Sequence, residues 1–302
     1  MSKRRQKGSL GKEIKKNSAY YFMLAPFMLL FIVFMLIPVL SSIVLGFTDF
    51  NMVQVPNFVG FRNYVRLLTN DDVFIIALKN TLILAFVTGP IGYILSFLVA
   101  WMINETGRAM RSVLTFIVYS PVLAGNVYFI WTYIFSGDKR GLFNSLLIRL
   151  GIIRSPIYWL SDTKYNFLCV IIVVIWMSFG AGFLSFMAGL QALDRSFFEA
   201  AAIDGMNNRW QELIYVTLPQ MGPQLLFGAV MTISGSFAIG AQCQALTGFP
   251  STDYSTHTIL LHIIDFGSIR FEMGYASATA CVLFLLMLLA WAITNKVLKK
   301  YV

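Results

Sequence analysis

Six stretches of this chain contain no Asp, Glu, Lys or Arg: 19–47, 80–104, 112–137, 165–193, 213–252 and 273–295. Each is longer than the roughly 20 apolar residues that cross a bilayer as a helix. The arrangement predicts an all-α, polytopic membrane protein with six transmembrane helices. Its composition agrees, since 12% of residues are charged where a soluble domain carries about a quarter. The longest run, 213–252, is too long for one span and too short for two with a turn. It is read as a helix at about 213–240, followed by a remainder with Gly248, Pro250 and Ser251 that leads into an outer loop.

Six spans place both termini on one side, and charge chooses the side. The first 18 residues form a basic tail with Lys3, Arg4, Arg5, Lys7, Lys12, Lys15 and Lys16 against the single acid Glu13. The uncharged run 19–47 exceeds the 7–15 residues of a signal-peptide core, so it is expected to remain as a span. Arg108 and Arg111, Arg195 and Arg209, and Lys296, Lys299 and Lys300 fall on the same side as the tail, which makes that side cytoplasmic. Parity then puts 138–164 outside despite Lys139, Arg140, Arg149, Arg154 and Lys164. The net charge of +9 is accordingly read as anchoring to membrane lipid, not as a nucleic-acid surface.

Several chemistries find no support. No G-x-x-x-x-G-K-[ST] loop occurs, so any ATP-derived energy must come from a partner. Cys169, Cys243 and Cys281 lie far apart within apolar stretches and suggest neither a disulfide framework nor a metal site. His257 and His262 are five apart, the wrong spacing for one helical face, and are expected to be solvated loop residues. Neither a metal nor a cofactor is expected in this chain. Paired carboxylates and His/Cys clusters are lacking inside the spans, which disfavours a membrane enzyme.

The longest cytoplasmic link is built around Ser196–Pro223. Ser196 and Glu199 make the S-x-x-E capping pattern, predicting a helix from Phe197. Ala200, Ala201 and Ala202 favour it, and Gly205 after Asp204 should end it in a left-handed turn. About two turns, roughly 12 Å, result. Glu199-Ala200-Ala201, Asp204-Gly205, Leu218-Pro219 and Pro223 resemble the EAA signature of bacterial binding-protein-dependent ABC importer permeases. Segments 58–68, 141–160 and 270–280 resemble outer parts of the carbohydrate members. Met206, where a small residue is usual, and a slightly long interval to Pro219 are the departures.

The resemblance implies a type I ABC importer permease fold over 19–302. Its coupling loop, 194–212, would dock on the ATPase through Phe198, Glu199, Ala200, Ala201, Asp204 and Gly205. It also implies a second homologous permease, an ATPase dimer carrying ATP and Mg, an extracytoplasmic solute-binding protein and a bacterial plasma-membrane location. In that family the helices flanking the loop help line the cargo cavity, which points here to Ser178, Ala181, Ser236 and Ile239.

The residues themselves add Asn126 and Gln242. These belong to a set of neutral polar groups, with Ser178, Ser185, Ser234, Ser236 and Gln244, lying near Tyr128, Trp131, Tyr133 and Trp176. Hydrogen-bonding groups beside flat aromatic faces suit a neutral sugar or oligosaccharide, although such residues also glue membrane helices together. Spans almost free of ionisable groups argue against proton or sodium coupling and against an ionic cargo. Gly89-Pro90, Ser120-Pro121 with Gly125, Gly180 with Gly182, and Gly235 with Gly240 are expected breaks in the second to fifth spans. A permease for another solute class, and an ATP-independent carrier or scaffold, are the alternatives.

Overall fold

The computed structural model describes residues 17–125 and 127–298. Asn126 and all but the last two residues of the basic tail therefore lie outside the described residues. Among these, regular structure is helical, and the only strand-like pairing is an isolated bridge between Thr48 and Phe58.

Helix α1, Ser18–Leu45, passes through a π-turn at Ile32–Leu36 just before Pro38, whose missing N–H interrupts the hydrogen-bond ladder. None of its residues is buried, and its last turns pack on the final helix. A short helix α2, Arg62–Thr69, leads to α3, Asp72–Asn104. The Asp71 carboxylate accepts from Phe74 N at 2.9 Å and starts α3 eight residues before the uncharged run begins at 80. The expected break at Gly89-Pro90 does not occur: α3 runs unbroken through Pro90.

The third, fourth and fifth spans are divided as expected, although the third runs on as helix through Ser120-Pro121 and breaks only at Gly125. The third span divides into α4, Arg108–Leu123, and α5, Tyr128–Ile134, with Gly125 at φ +58° between them. After α6, Leu142–Arg149, the fourth span divides into α7, Asn166–Trp176, and α8, Ala181–Ala192. Helix α9, Arg195–Ile203, follows. The single helix expected at 213–240 is instead two, α10, Arg209–Gln220, and α11, Gly222–Phe237, bent by 84°. Pro219 and Pro223 on either side of the bend remove the amide donors that would carry one helix through it. The segment expected to start an outer loop contains a further helix, α12, Ala241–Thr247, with Cys243 and Leu246 buried. An apolar helix α13, Ile259–Ile269, precedes the last span α14, Met273–Leu298.

Helices α3, α8 and α11 pack mutually as the central bundle. We call the end that carries α9 the inner end and the opposite end the outer end. Three clusters of buried side chains lie along α3. Phe74 and Ala77 join an outer cluster with Ile259, Phe266 and Tyr275; Leu84 joins one with Val173 and Ile239; Phe97 and Ala100 join an inner one with Phe183, Phe186 and Leu213.

The histidines are not solvated. His257 and His262 are each 1% exposed, because the chain after α12 folds back over the outer ends of α3 and α14. His257 Nε2 lies 3.4 Å from His262 Nδ1, and His262 Nε2 lies 3.2 Å from Asp71 Oδ2. The Tyr275 hydroxyl donates to that same Asp71 oxygen at 2.6 Å. Asn80 Nδ2 sits within 2.9–3.3 Å of the carbonyls of Tyr254, Ser255 and His257, and Thr81 Oγ1 accepts from Ile259 N at 2.9 Å.

Candidate functional site

Two places collect the residues singled out by sequence. The first is a cavity of about 230 Å³ where the breaks of the fourth and fifth spans meet α3. Ser178 lies in the α7–α8 break, Ala181 opens α8, Ser236 is near the end of α11, Ile239 lies in the α11–α12 break, and Gln242 is in α12. All five line the cavity, together with Thr88, Thr232 and Gly235. Asn126 is outside the described residues. Ser185 and Gln244 do not appear among the lining side chains.

Close approach of α3 makes this meeting possible. A Cβ on Gly92 would stand 2.7 Å from Ser178 Cβ, and one on Gly89 would stand 3.2 Å from Ser236 Oγ. The Gly89-Pro90 signal thus marks a packing surface and not a break. Ser96 Oγ also donates to Ser178 O at 3.2 Å, holding the α7–α8 break against the unbroken helix.

The polarity of the cavity follows from hydrogen-bond direction. Ser178 Oγ donates to Ile175 O (2.7 Å), Ser236 Oγ to Ile233 O (2.9 Å), Thr232 Oγ1 to Gly228 O (2.8 Å) and Thr88 Oγ1 to Leu84 O (2.7 Å). A hydroxyl has one proton and two lone pairs, so these four are left as acceptors. Gln242 Oε1 accepts from Gly240 N at 3.3 Å, which leaves its amide NH₂ to donate. No Asp, Glu, Lys, Arg or His is among the described lining residues. The arrangement can hold a neutral solute rich in hydroxyls, and none of its described lining side chains carries a charge.

The second place is α9. Its N-cap is Asp194, whose Oδ1 accepts from Ser196 N at 3.0 Å; the Ser196–Glu199 pair does not cap it, and the helix starts two residues earlier than expected. At the far end Gly205 has φ +88°. Met206 N donates to Ala201 O (3.0 Å) and Gly205 N to Ala202 O (3.2 Å), the paired bonds of a glycine-terminated helix end.

Only one face of α9 is held. Ala201 is 4% exposed and faces the chain's own Leu213–Thr217 turn, so it positions the helix and does not present a surface. Phe198, Glu199 and Ala202 line a groove of about 530 Å³ between α9 and the 104–111 link, opposite Glu105, Arg111 and Arg209. Arg209 Nη2 lies 3.4 Å from Glu105 Oε2, and the Trp210 ring is 5.4 Å from Trp101. Ala200, Asp204 and Gly205 are exposed.

The outward ridge consists of Phe197, Ala200 and Ile203, and Ile203 is 87% exposed. The sequence already places Phe197 and Ile203, with Phe198, on a compact surface that a partner could grip, although the motif resemblance does not count Phe197 and Ile203 among its docking residues. Their three-residue spacing through Ala200, in a link that also carries charge, is the signal that finds them. Thr88 and Thr232 were missed, because a threonine inside an apolar run looks the same whether it faces a cavity or a neighbouring helix.

Comparison with known proteins shows the family. Residues 92–301 match the family described as the binding-protein-dependent transport system inner membrane component. The chain is 30% identical over 283 residues to the arabinooligosaccharides transport system permease protein AraP of Bacillus subtilis (strain 168), covering 93% of this chain and 88% of that one. It is 32% identical over 273 residues to the lactose transport system permease protein LacF of Rhizobium radiobacter, covering 88% and 89%. A crystal structure of a bacterial alginate ABC transporter, in complex with alginate pentasaccharide-bound periplasmic protein, contains a chain with TM-score 0.78, 25% identity and 96% coverage of both chains.

Proposed function

Because the chain belongs to the binding-protein-dependent transport inner membrane components, we propose that it forms half of the pathway for a neutral sugar or oligosaccharide. It is a membrane-integral, non-catalytic subunit of an ABC importer, and ATP hydrolysis belongs to a separate partner. The observation that carries the cargo assignment is the cavity at the paired breaks, lined by four hydroxyl acceptors and one amide donor without a charge. Its volume, about 230 Å³, falls below the roughly 300–1,000 Å³ of a complete ligand pocket. A second, homologous permease supplies the remaining wall in this reading.

Helix α9 is the coupling helix. Glu199 and Phe198 border its groove, Ala200, Asp204 and Gly205 lie on its open side, and the ridge of Phe197 and Ile203 enters a cleft on the ATPase dimer, which holds ATP and Mg. Both termini are cytoplasmic, and the solute-binding protein delivers cargo at the outer end. Closure of the ATPases pulls α9, and the spans alternate between inward-open and outward-open states.

The test is ATPase activity of the reconstituted complex with sugar-loaded binding protein, for wild type and Gly205→Arg. Sugar-loaded protein is expected to stimulate the wild type, and the variant to lose that response. A variant that responds like wild type removes the coupling role of α9. Gln242→Leu, tested for uptake in the same vesicles, is expected to lower transport while leaving ATPase binding intact.

A further inference from the structure

Helix α2 has three sides. At about 100° per residue, Phe61, Val65 and Leu68 fall within an arc of about 60°, Asn63, Tyr64 and Leu67 on a second side, and Arg62, Arg66 and Thr69 on a third. The second side is covered by protein: Leu67 is 0% exposed and Asn63 9%. The third is polar, and Arg66 pairs with Glu272 while its guanidinium lies 4.2 Å from the centre of the Tyr275 ring. The first side is apolar and open, with Phe61, Val65 and Leu68 exposed by 70%, 56% and 64%.

The height of α2 relative to the spans is fixed. Asn63 Nδ2 donates to Gly46 O at 3.0 Å and to Thr48 O at 2.8 Å, so the helix is pinned to the residues that directly follow the last turn of α1. Phe47 sits between them, its ring 5.3 Å from Phe61 and 5.2 Å from Tyr64. This is the level at which aromatic side chains gather on membrane proteins. Below it, Leu40, Ile43 and Val44 of α1 are apolar and uncovered, as a lipid-facing helix should be. The open side of α2 extends that surface sideways, and Val53, Val55 and Phe58 in the preceding loop, all at least 80% exposed, extend it further.

We propose that α2 is an interfacial helix. It seats Phe61, Val65 and Leu68 at the acyl-chain boundary of the leaflet at the outer end, with Arg62 and Thr69 at headgroup level. The occupant of the open side is lipid. A helix with one side on protein, one side polar and one side apolar, fixed at the mouth of a span, has the three environments of a membrane rim. Anchored there, α2 holds the α1–α3 connection, and through Arg66 and Glu272 the start of α14, at a constant height in the bilayer.

The test uses nitroxide spin labels on the full transporter complex in phosphatidylethanolamine/phosphatidylglycerol bilayers. Labels are placed by Val65→Cys, Leu68→Cys or Thr69→Cys in a chain carrying Cys281→Ala, because Cys169 and Cys243 are buried. Collision rates are measured with oxygen, which concentrates in lipid, and with a water-soluble nickel chelate. The expected result is an oxygen-to-nickel ratio several-fold higher at 65 and 68 than at 69, unchanged when sugar-loaded binding protein is added. Equal ratios at all three positions would mean that water covers the row. Labels at 65 and 68 that are immobilised and shielded from both reagents, or become so when the binding protein is added, would mean that a protein covers it. Either result overturns the proposal.

Discussion

The two ends of α3 are held in opposite ways. At the outer end, Asp71, Asn80 and Thr81 bond to segments nearly two hundred residues away, and their partners are buried. At the inner end, the loop carrying α9 is tied to the end of α3 by an ion pair whose Arg209 side chain is 65% exposed and by one tryptophan contact, while α9 itself rests through Ala201 on the Leu213–Thr217 turn. The outer end is stitched with bonds that water cannot replace without unfolding the segment. The inner end is hooked with contacts that water competes for. If α9 follows a partner as proposed, a loose attachment at the inner end lets it move while the firm outer end keeps its shape.

The largest effect that sharpens this contrast is expected from Asn80→Ala. It strips one donor group from three carbonyls and should cost about 2–3 kcal/mol. Urea unfolding in detergent would read this, and a loss below about 0.5 kcal/mol would break the account of the outer end.

Acid should come next. Burial, followed by the charge of the neighbouring His262, brings His257 down from 6.5 to about 4, against the opposing pull of Asp265 and Asp71. The unfolded chain then takes up the proton first, so the stitching is at full strength above about pH 6.5 and weakens as pH falls toward 4, by on the order of 2 kcal/mol at about pH 5. Hydrogen exchange of amides 254–262 is expected to quicken across that window, and His257→Gln to flatten the dependence. Protection that stays constant from about pH 7 to about pH 5 would contradict the burial argument.

The inner end should respond less. Gly205→Ala places a side chain at φ +88° and is expected to cost about 1–2 kcal/mol locally. It should fray the end of α9 without shifting the global unfolding midpoint, as amide exchange at 203–206 would show. Glu105→Ala removes only an exposed pair worth about 0–1 kcal/mol. No change in thermal unfolding is expected, and a shift comparable to that of Asn80→Ala would make the two ends alike.

The contrast also explains what could be read from the chain. Uncharged runs give the spans because solvation of ionisable groups in lipid is decided residue by residue. Gly180, Gly235 and Gly240 lie at or near real breaks, and Gly205 ends its helix, because these are local backbone effects. Gly89 was misread since its role lies 147 positions away, against Ser236. The histidines were misread for the same reason: a polar loop looks solvated until the chain folds it under something. Ser196 lost the cap to Asp194, two residues upstream, where both carry suitable oxygens and only the path of the chain leaving α8 chooses between them. Of the pathway residues, polarity was legible but orientation was not, which is why Ser178 and Ser236 were found while Thr88 and Thr232 were passed over.

Helix α3 remains unbroken over 33 residues, while the fourth and fifth spans beside it are jointed. At the helical rise it is a lever about 50 Å long. A tilt of about 5° pivoting near Ser178 and Ser236 would swing each tip by about 2 Å in opposite directions. At Asn80, about 15 Å from the pivot, the shift would still be about 1 Å, too large for its hydrogen bonds to stretch across, so the loop 254–259 would ride with the tip. A pull applied at Trp101 would thereby be returned at Asp71 with its sign reversed, so that one unbroken helix would couple the two mouths of the molecule in opposite senses.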